Sequence, residues 1–364
     1  MTRRNVLAGR AARIGLGAAL FRVILLLGLG AALAACRKAE PVPPPVPVAF
    51  IALAGPDQAE HRWARQQLQD EFGPRVRITA VEVADGPQAQ RQLDELVADG
   101  ARLIIATSPG LDEVMLRGAA GADSVRFEQR AGYRRLGNLR GFDLRGYEAS
   151  YLAGVQAGMT SVTRSVEVRL AAGLPMTPER LCEINAFALG ARSVDERIRV
   201  RVVVEGGPAL ADGGAKGAAR VAEPDHRLTL APEGIALFRS SGAVDAGAAA
   251  WVEAGRASLS WLPYYRRAMQ DLLDGSWTSA SAWWGVRDGV VGWAESGPVD
   301  AAAQERLQAV RAALRDGRQT IWRGPLRDQT GQILLREGEV ADDRFLHGLH
   351  VLIQGVDGTL APMR

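Results

Sequence analysis

Few residues in this chain are spaced to do covalent chemistry. Its four histidines stand at 61, 226, 347 and 350. His347 and His350 share a helical face, a spacing that can hold zinc, but the neighbouring Asp342 and Asp343 do not complete a ligand set. The glycine-rich stretch 211–217 contains Lys216 without the Gly-Lys-Ser/Thr ending of a phosphate loop, and no Gly-x-Ser-x-Gly nucleophile turn occurs. No catalytic residue, metal site or cofactor is expected, so the sequence reads as non-enzymatic.

The sulfur chemistry says more. Leu33-Ala34-Ala35-Cys36 matches the bacterial lipobox, with small residues for the signal peptidase and then a thiol to carry diacylglycerol. Residues 1–22 are basic and acid-free, and the apolar run 23–35 is shorter than the roughly 20 residues a bilayer span requires. Prolines at 41, 43, 44, 45 and 47 make a stiff, extended spacer. The expectation is a lipoprotein signal peptide over 1–35 and a lipidated Cys36 with a Pro-rich tether over 36–47. That places the protein in the cell envelope, lipid-anchored and facing the periplasm or exterior. An uncleaved signal anchor with an incidental cysteine is the other reading, and Arg3-Arg4 leaves Sec and Tat export both open. Cys182 is the one remaining cysteine, which rules out a disulfide within a chain starting at Cys36 and suits a small core residue.

Composition agrees with a folded globular protein. With 47% hydrophobic and 23% charged residues over 364 positions, neither wholesale disorder nor a polytopic membrane protein fits, and two domains can be built. The formal charge of +3 includes Arg3, Arg4, Arg10, Arg13 and Arg22, all before Cys36. From Cys36 onward, 39 basic residues face 41 acidic ones, net −2, which removes the case for a nucleic-acid partner.

The elements that must position any site alternate. Val48–Leu53 is a continuous apolar run ending in Gly55-Pro56, as in a strand buried on both faces. Residues 58–72 have helical spacing, Val76–Val83 alternates as a strand, 87–99 is helical, and Leu103–Ala106 is a third buried strand leading into Thr107-Ser108-Pro109-Gly110. The second half repeats the theme: helix 147–159, strand 166–172, helix 178–193, strand 198–204, a Gly/Ala-rich helix 209–221, a short strand 234–238, and helices 262–273 and 301–315. Leu326–Leu335, with Asp328-Gln329-Thr330-Gly331 at its centre, reads as a hairpin. Strand–helix alternation of this kind means α/β units and parallel sheets.

Particular segments resemble a known family. They are Tyr147-Glu148-Ala149-Ser150-Tyr151-Leu152-Ala153-Gly154-Val155-Gln156-Ala157-Gly158-Met159-Thr160, Ile184-Asn185-Ala186-Phe187-Ala188-Leu189-Gly190-Ala191-Arg192-Ser193, and Gly324-Pro325-Leu326-Arg327-Asp328-Gln329. Leu103–Gly110, 127–133, Pro263-Tyr264-Tyr265 and 273–277 extend the likeness over roughly residues 48–360. Together they are similar to the basic membrane protein (BMP) family of ABC-transporter substrate-binding lipoproteins, which includes purine-nucleoside receptors. The resemblance implies a type I periplasmic binding protein, an α/β fold of two Rossmann-like lobes with parallel sheets, joined by a hinge, closing on a solute. The implied lobes are 48–141 plus about 262–290, and about 142–261 plus about 291–364. It also implies a small polar, nucleoside-like ligand and an ABC permease as partners, with the membrane reached through Cys36.

The resemblance carries over a few site residues. Trp63 matches an aromatic that stacks on the nucleobase; the alternative is a core or surface residue of its helix. Asp57 or Glu60 matches an acid that bonds base or ribose, and Ser108 matches a turn that approaches the ligand while also serving as a helix N-cap. The second lobe departs from the pattern. Glu205-Gly206-Gly207-Pro208 stands where nucleoside-binding relatives have a Trp, and Arg239-Ser240-Ser241 replaces a ribose-binding Asp. About ten residues are missing between Val221 and Gly234. Arg239 is then a counter-charge for an anionic ligand, or else the chain is a degenerate relative acting as an envelope interaction or sensory lipoprotein without transport-type binding. Trp277, Trp283, Trp284 and Trp293 read as core and lobe-edge support.

Overall fold

The computed structural model describes residues 43–55, 58–132, 134–206, 222–231, 234–245, 248–297 and 300–358. Cys36, Asp57 and the expected helix 209–221 lie outside these residues.

In chain order the elements are β1 (Val46–Leu53), α1 (Ala59–Phe72), β2 (Val76–Val83), α2 (Gly86–Ala98), β3 (Leu103–Ala106), α3 (Asp112–Gly121), β4 (Arg126–Arg130), β5 (Leu139–Leu144), α4 (Tyr147–Thr160), β6 (Ser165–Leu170), α5 (Pro178–Arg192), β7 (Arg199–Val204) and β8 (His226–Ala231). There follow β9 (Gly234–Asp245), β10 (Ala248–Leu259), α6 (Leu262–Asp274), β11 (Ala282–Trp284), β12 (Val291–Glu295), α7 (Ala301–Arg315), β13 (Leu326–Arg327), β14 (Ile333–Leu335), α8 (Asp343–His347) and β15 (Val356–Asp357).

Two sheets organise them. The first has order β11-β5-β4-β3-β1-β2, and its strands pair in parallel throughout. Alternation along β1 explains its unbroken apolar run: Ala49 and Ile51 pack toward α2 and α3, whereas Val48 and Phe50 pack toward α1 and α6. The second sheet, β12-β10-β9-β8-β6-β7-β15, is mixed. Its β15, β7, β6 and β8 run parallel, whereas β9, β10 and β12 are antiparallel to their neighbours.

That mixture corrects two expectations. β9 does not stop at Phe238 but continues to Asp245, and β10 was not legible as a strand at all. Its Ala- and Gly-rich sequence lacks alternation because small residues are required: a Cβ on Gly255 would stand 2.7 Å from the Trp293 ring and 2.9 Å from the Ala294 carbonyl oxygen.

The core of the second lobe lies where α4 and α5 press against this sheet. The two helices touch through glycines. A Cβ on Gly154 would collide with the Phe187 carbonyl oxygen and lie 2.9 Å from the Ala191 nitrogen, and one on Gly158 would lie 2.6 Å from the Ala191 carbonyl oxygen. The most family-like stretch of sequence is thus a helix-packing motif. The hairpin β13–β14 forms as read, its turn held by Asp328 Oδ1, which accepts from Thr330 N at 2.8 Å and Gln332 N at 2.9 Å.

The chain passes between the sheets three times, at 144–147, 259–262 and 284–291. Two crossovers are adjacent: Arg145 N donates to Trp284 O at 2.7 Å, and Val286 N donates to Glu148 Oε2 at 2.6 Å. The third is tied to the 284–291 crossover by Ser260 N donating to Val290 O at 2.9 Å.

Candidate ligand cleft

Parallel strands end together, and beyond their carboxyl ends lies the crevice in which open α/β sheets take ligands. In the first lobe β3 ends in Thr107-Ser108. Ser108 is buried, its Oγ accepts from Leu53 N at 2.9 Å, and its carbonyl accepts from Gln129 Nε2 at 3.0 Å. One residue therefore fastens the ends of β1, β3 and β4. Its side chain makes no helix-capping bond, so the cap expected there is replaced by this strand tie. Thr107 Oγ1 donates to Gln58 Oε1 at 3.0 Å with both residues fully buried, which fixes the start of α1 at the same edge.

The face of α1 follows from its spacing. His61, Ala64, Leu68 and Phe72 are buried, whereas Trp63 keeps 49% of its surface exposed. Trp63 is accordingly not a core residue; it is an open indole in the second turn of the helix that follows β1. Glu60 is partly buried, and its Oε1 accepts from Trp261 N at 3.0 Å, securing the third crossover where α6 begins.

Charge gathers at this edge in a way the sequence did not announce. Arg130 ends β4; its guanidinium lies 5.0 Å from the Trp261 ring centroid, and Nη1 donates to Thr107 O at 3.4 Å. Beside it, His61 is hydrogen-bonded through Nδ1 to Tyr265 OH at 2.8 Å. Burial, and then the positive charges of Arg130 and Arg65, push the imidazole down to about 3, so it is neutral at physiological pH. Asp143, near the end of β5, is pushed up to about 6 by burial, opposed by Arg130 and by its bond from Leu144 N and reinforced by Glu179 and Glu183. These two glutamates belong to the first turns of α5 in the second lobe, where Arg180 Nη1 meets Glu183 Oε2 at 2.7 Å. Arg130 and Asp143 thus stand where the lobes face each other.

Behind the edge, Glu128 is fully buried in β4. It accepts from Tyr264 OH at 2.7 Å and Trp277 Nε1 at 2.8 Å and pairs with Arg140 at 2.7 Å. This network makes a polar sequence, Arg126-Phe127-Glu128-Gln129-Arg130, a central strand, and it accounts for Trp277. Trp293 is a core residue of the second lobe, donating to Gln156 Oε1 at 2.7 Å. Trp283 and Trp284 lie on β11 at the crossover, and Trp283 stacks on His347 at 4.3 Å. His350 Nδ1 lies 2.9 Å from Gly348 O. Among the described residues no group of three His, Cys, Asp or Glu is placed to hold a metal. Cys182 is buried, and burial raises its thiol well above the ordinary range.

The structure does not bring Arg239 to this cleft. β9 runs back antiparallel from the carboxyl end of β8, and Arg239 pairs with His226 at the amino end of that strand, exposed. The expectation of a loop residue failed because the strand continues through it. Arg130 and Asp143, which sequence reasoning missed, had one signal: a charge at or near the last position of a buried strand.

Two α/β lobes joined by three crossovers define the type I periplasmic binding-protein architecture. Comparison with solved structures agrees on the fold: an ABC transporter solute-binding protein from Conexibacter woesei superimposes with a TM-score of 0.53 at 18% identity, covering 75% of this chain and 97% of that one. Residues 58–221 match the family model of PnrA-like ABC transporter substrate-binding proteins, Bmp. Among curated relatives, a purine-binding protein of Brucella abortus is 29% identical over 86% of this chain and 93% of its own. A putative ABC transporter glucose-binding protein of Haloferax volcanii is 26% identical over 82% and 76%. Proteins of this class bind small solutes outside the cytoplasm and work with a permease.

Proposed function

We propose that the lobes close on a purine base or nucleoside, stacked on Trp63, and hand it to an ABC permease from a membrane to which Cys36 is lipid-anchored. The observation that carries this reading is the open indole of Trp63 on α1. A large aromatic left half exposed in a helix whose Ala64, Leu68 and Phe72 are buried has a free face, and a nucleobase stacked on an aromatic gains about 1–3 kcal/mol. Asp57 or Glu60 supplies an acceptor for the ligand's N–H or hydroxyl groups. Ser108 shapes the floor by holding three strand ends together. The purine-binding relative from Brucella supports the ligand class. Closure about the three crossovers is a hinge motion that the ligand selects, and it excludes water from the stacked face.

Calorimetry with purine bases, nucleosides and glucose tests the reading. Purines are expected to bind and glucose not, and Trp63→Ala is expected to weaken purine affinity about tenfold or more while leaving the melting temperature nearly unchanged, because the residue is not part of the core. Glucose binding with purine indifference, or unchanged affinity in Trp63→Ala, refutes it. Cys36→Ser is expected to release the protein from membranes.

A further inference from the structure

The second lobe holds a cavity away from the strand-end cleft. It measures about 460 Å³, a size common among small-molecule sites, and residues of α4, α5, β13 and the segment leading into β15 line it. Its place in the lobe follows from the chain. Arg192 closes α5, which leads to the start of β7, and Gly355 O accepts from Val200 N at 3.3 Å beside that same start, the end of the strand opposite the cleft. Buried Tyr151, Leu326 and Ile353 make the lining apolar, whereas Arg192, Glu196 and Arg327 bring charge to it.

Arg192 is unlike the other arginines of its lobe. Among the described residues there, Arg145, Arg169, Arg180, Arg201, Arg227 and Arg311 are half-buried, and each meets a carboxylate at 2.7–3.4 Å. Arg192 is half-buried as well, yet no carboxylate among the described residues lies within 4.0 Å of it; Nη1 donates to Ile198 O at 3.4 Å. The guanidinium is nevertheless held in place. It lies against Gly355, where a Cβ would stand 2.6 Å from Cζ. A cation drawn partly out of water without a counter-charge is a cost that an incoming anion relieves.

We propose that this cavity is a second ligand site, distinct from the cleft, which takes a small organic monocarboxylate with an apolar body and pairs its carboxylate with Arg192 and Arg327. Guanidinium offers five N–H donors and binds a carboxylate through two parallel hydrogen bonds. Arg327 commits Nη1 to Gly331 O at 2.8 Å and keeps its other donors. Glu196 in the same lining sets the charge at two cations against one anion, which suits a single negative charge better than the near-dianion of a phosphate monoester. Tyr151, Leu326 and Ile353 provide the surface on which an aryl or alkyl body is buried.

Phenylacetate is a suitable probe, with phenylacetamide as its uncharged twin and phenyl phosphate as the more highly charged one. NMR titration of the full chain is expected to show saturable phenylacetate binding, about tenfold or more tighter than that of phenylacetamide, as charge-assisted hydrogen bonds require. Arg192→Gln is expected to remove that preference while leaving the melting temperature nearly unchanged, because the side chain makes one long internal bond. A merely structural arginine would weaken acid and amide alike. Should Arg192→Gln fail to fold, Arg327→Gln at an exposed position is expected to lower the same ratio and takes its place in the test. Absence of saturable phenylacetate binding overturns the proposal, as does an unchanged acid-to-amide ratio in the folded variant. Tighter binding of phenyl phosphate than of phenylacetate overturns the carboxylate assignment. None of these outcomes depends on whether the cleft binds a purine.

Discussion

His61 gives the protein a specific acid sensitivity. The residue is 1% exposed, and burial followed by the charges of Arg130 and Arg65 holds its imidazole at about 3, against 6.5 when unfolded. A folded-state value below the unfolded one means that the unfolded chain takes up a proton the native chain refuses. The associated stability is complete above pH 6.5 and is lost as pH falls from 6.5 toward 3. At about 1.4 kcal/mol per pH unit, roughly 2 kcal/mol disappears between neutrality and pH 5. Asp143 works in the opposite sense. Its folded value near 6 exceeds the unfolded 3.8, so its protonation stabilises the native state as pH falls through that window and masks part of the loss. The measurement must therefore be a difference. His61→Asn retains a polar group near Nδ1 for Tyr265 but cannot titrate, and Asp143 is common to both proteins. Urea unfolding at pH 7.5, 6.5, 5.5 and 5.0 is expected to show the native protein losing about 2 kcal/mol relative to the variant. Parallel curves for the two proteins, or an NMR titration placing His61 near 6.5, would refute the claim of a buried neutral imidazole.

Two further perturbations test the packing that positions the cleft. Gly154→Val is expected to cost about 1–3 kcal/mol or more, because the new Cβ meets the Phe187 carbonyl oxygen and α5 cannot retreat without opening the core; chemical denaturation with native-like stability would show that the helices do not touch there. Arg140→Met strands the fully buried Glu128 carboxylate and is expected to cost about 3–5 kcal/mol, with Glu128→Gln in the same chain recovering a substantial part. A loss below about 1 kcal/mol, or no recovery in the double variant, would deny the pairing.

Much of the fold was written in local pattern. β2, β3 and α7 match their expected limits, and α4, α5 and α6 do so within a residue, because each is bounded by Gly, Pro or a capping residue. α2 and α5 begin at Asp85 and Thr177, whose side chains accept from Gln88 N and Arg180 N. Where periodicity was absent, reading failed. β4 and β5 went unrecognised because Glu128 and Arg140, charged residues inside the two strands, are buried against each other, a pairing that only the formed sheet makes. β10 was missed because its small residues answer to Trp293, about 40 positions away in the chain.

The cleft divides in the same way. The resemblance to a known family marked Trp63, Glu60 and Ser108 as candidates, each following a legible strand. Tertiary structure decided their surroundings: Trp63 open, Glu60 fastened to Trp261, Ser108 bound into three strand ends. It alone set Arg130 beside His61 and Asp143 and took Arg239 to the far end of its sheet. Periodicity along a chain reports which face of an element is apolar. Charges act through space, and their neighbours exist only once strands distant in sequence end side by side.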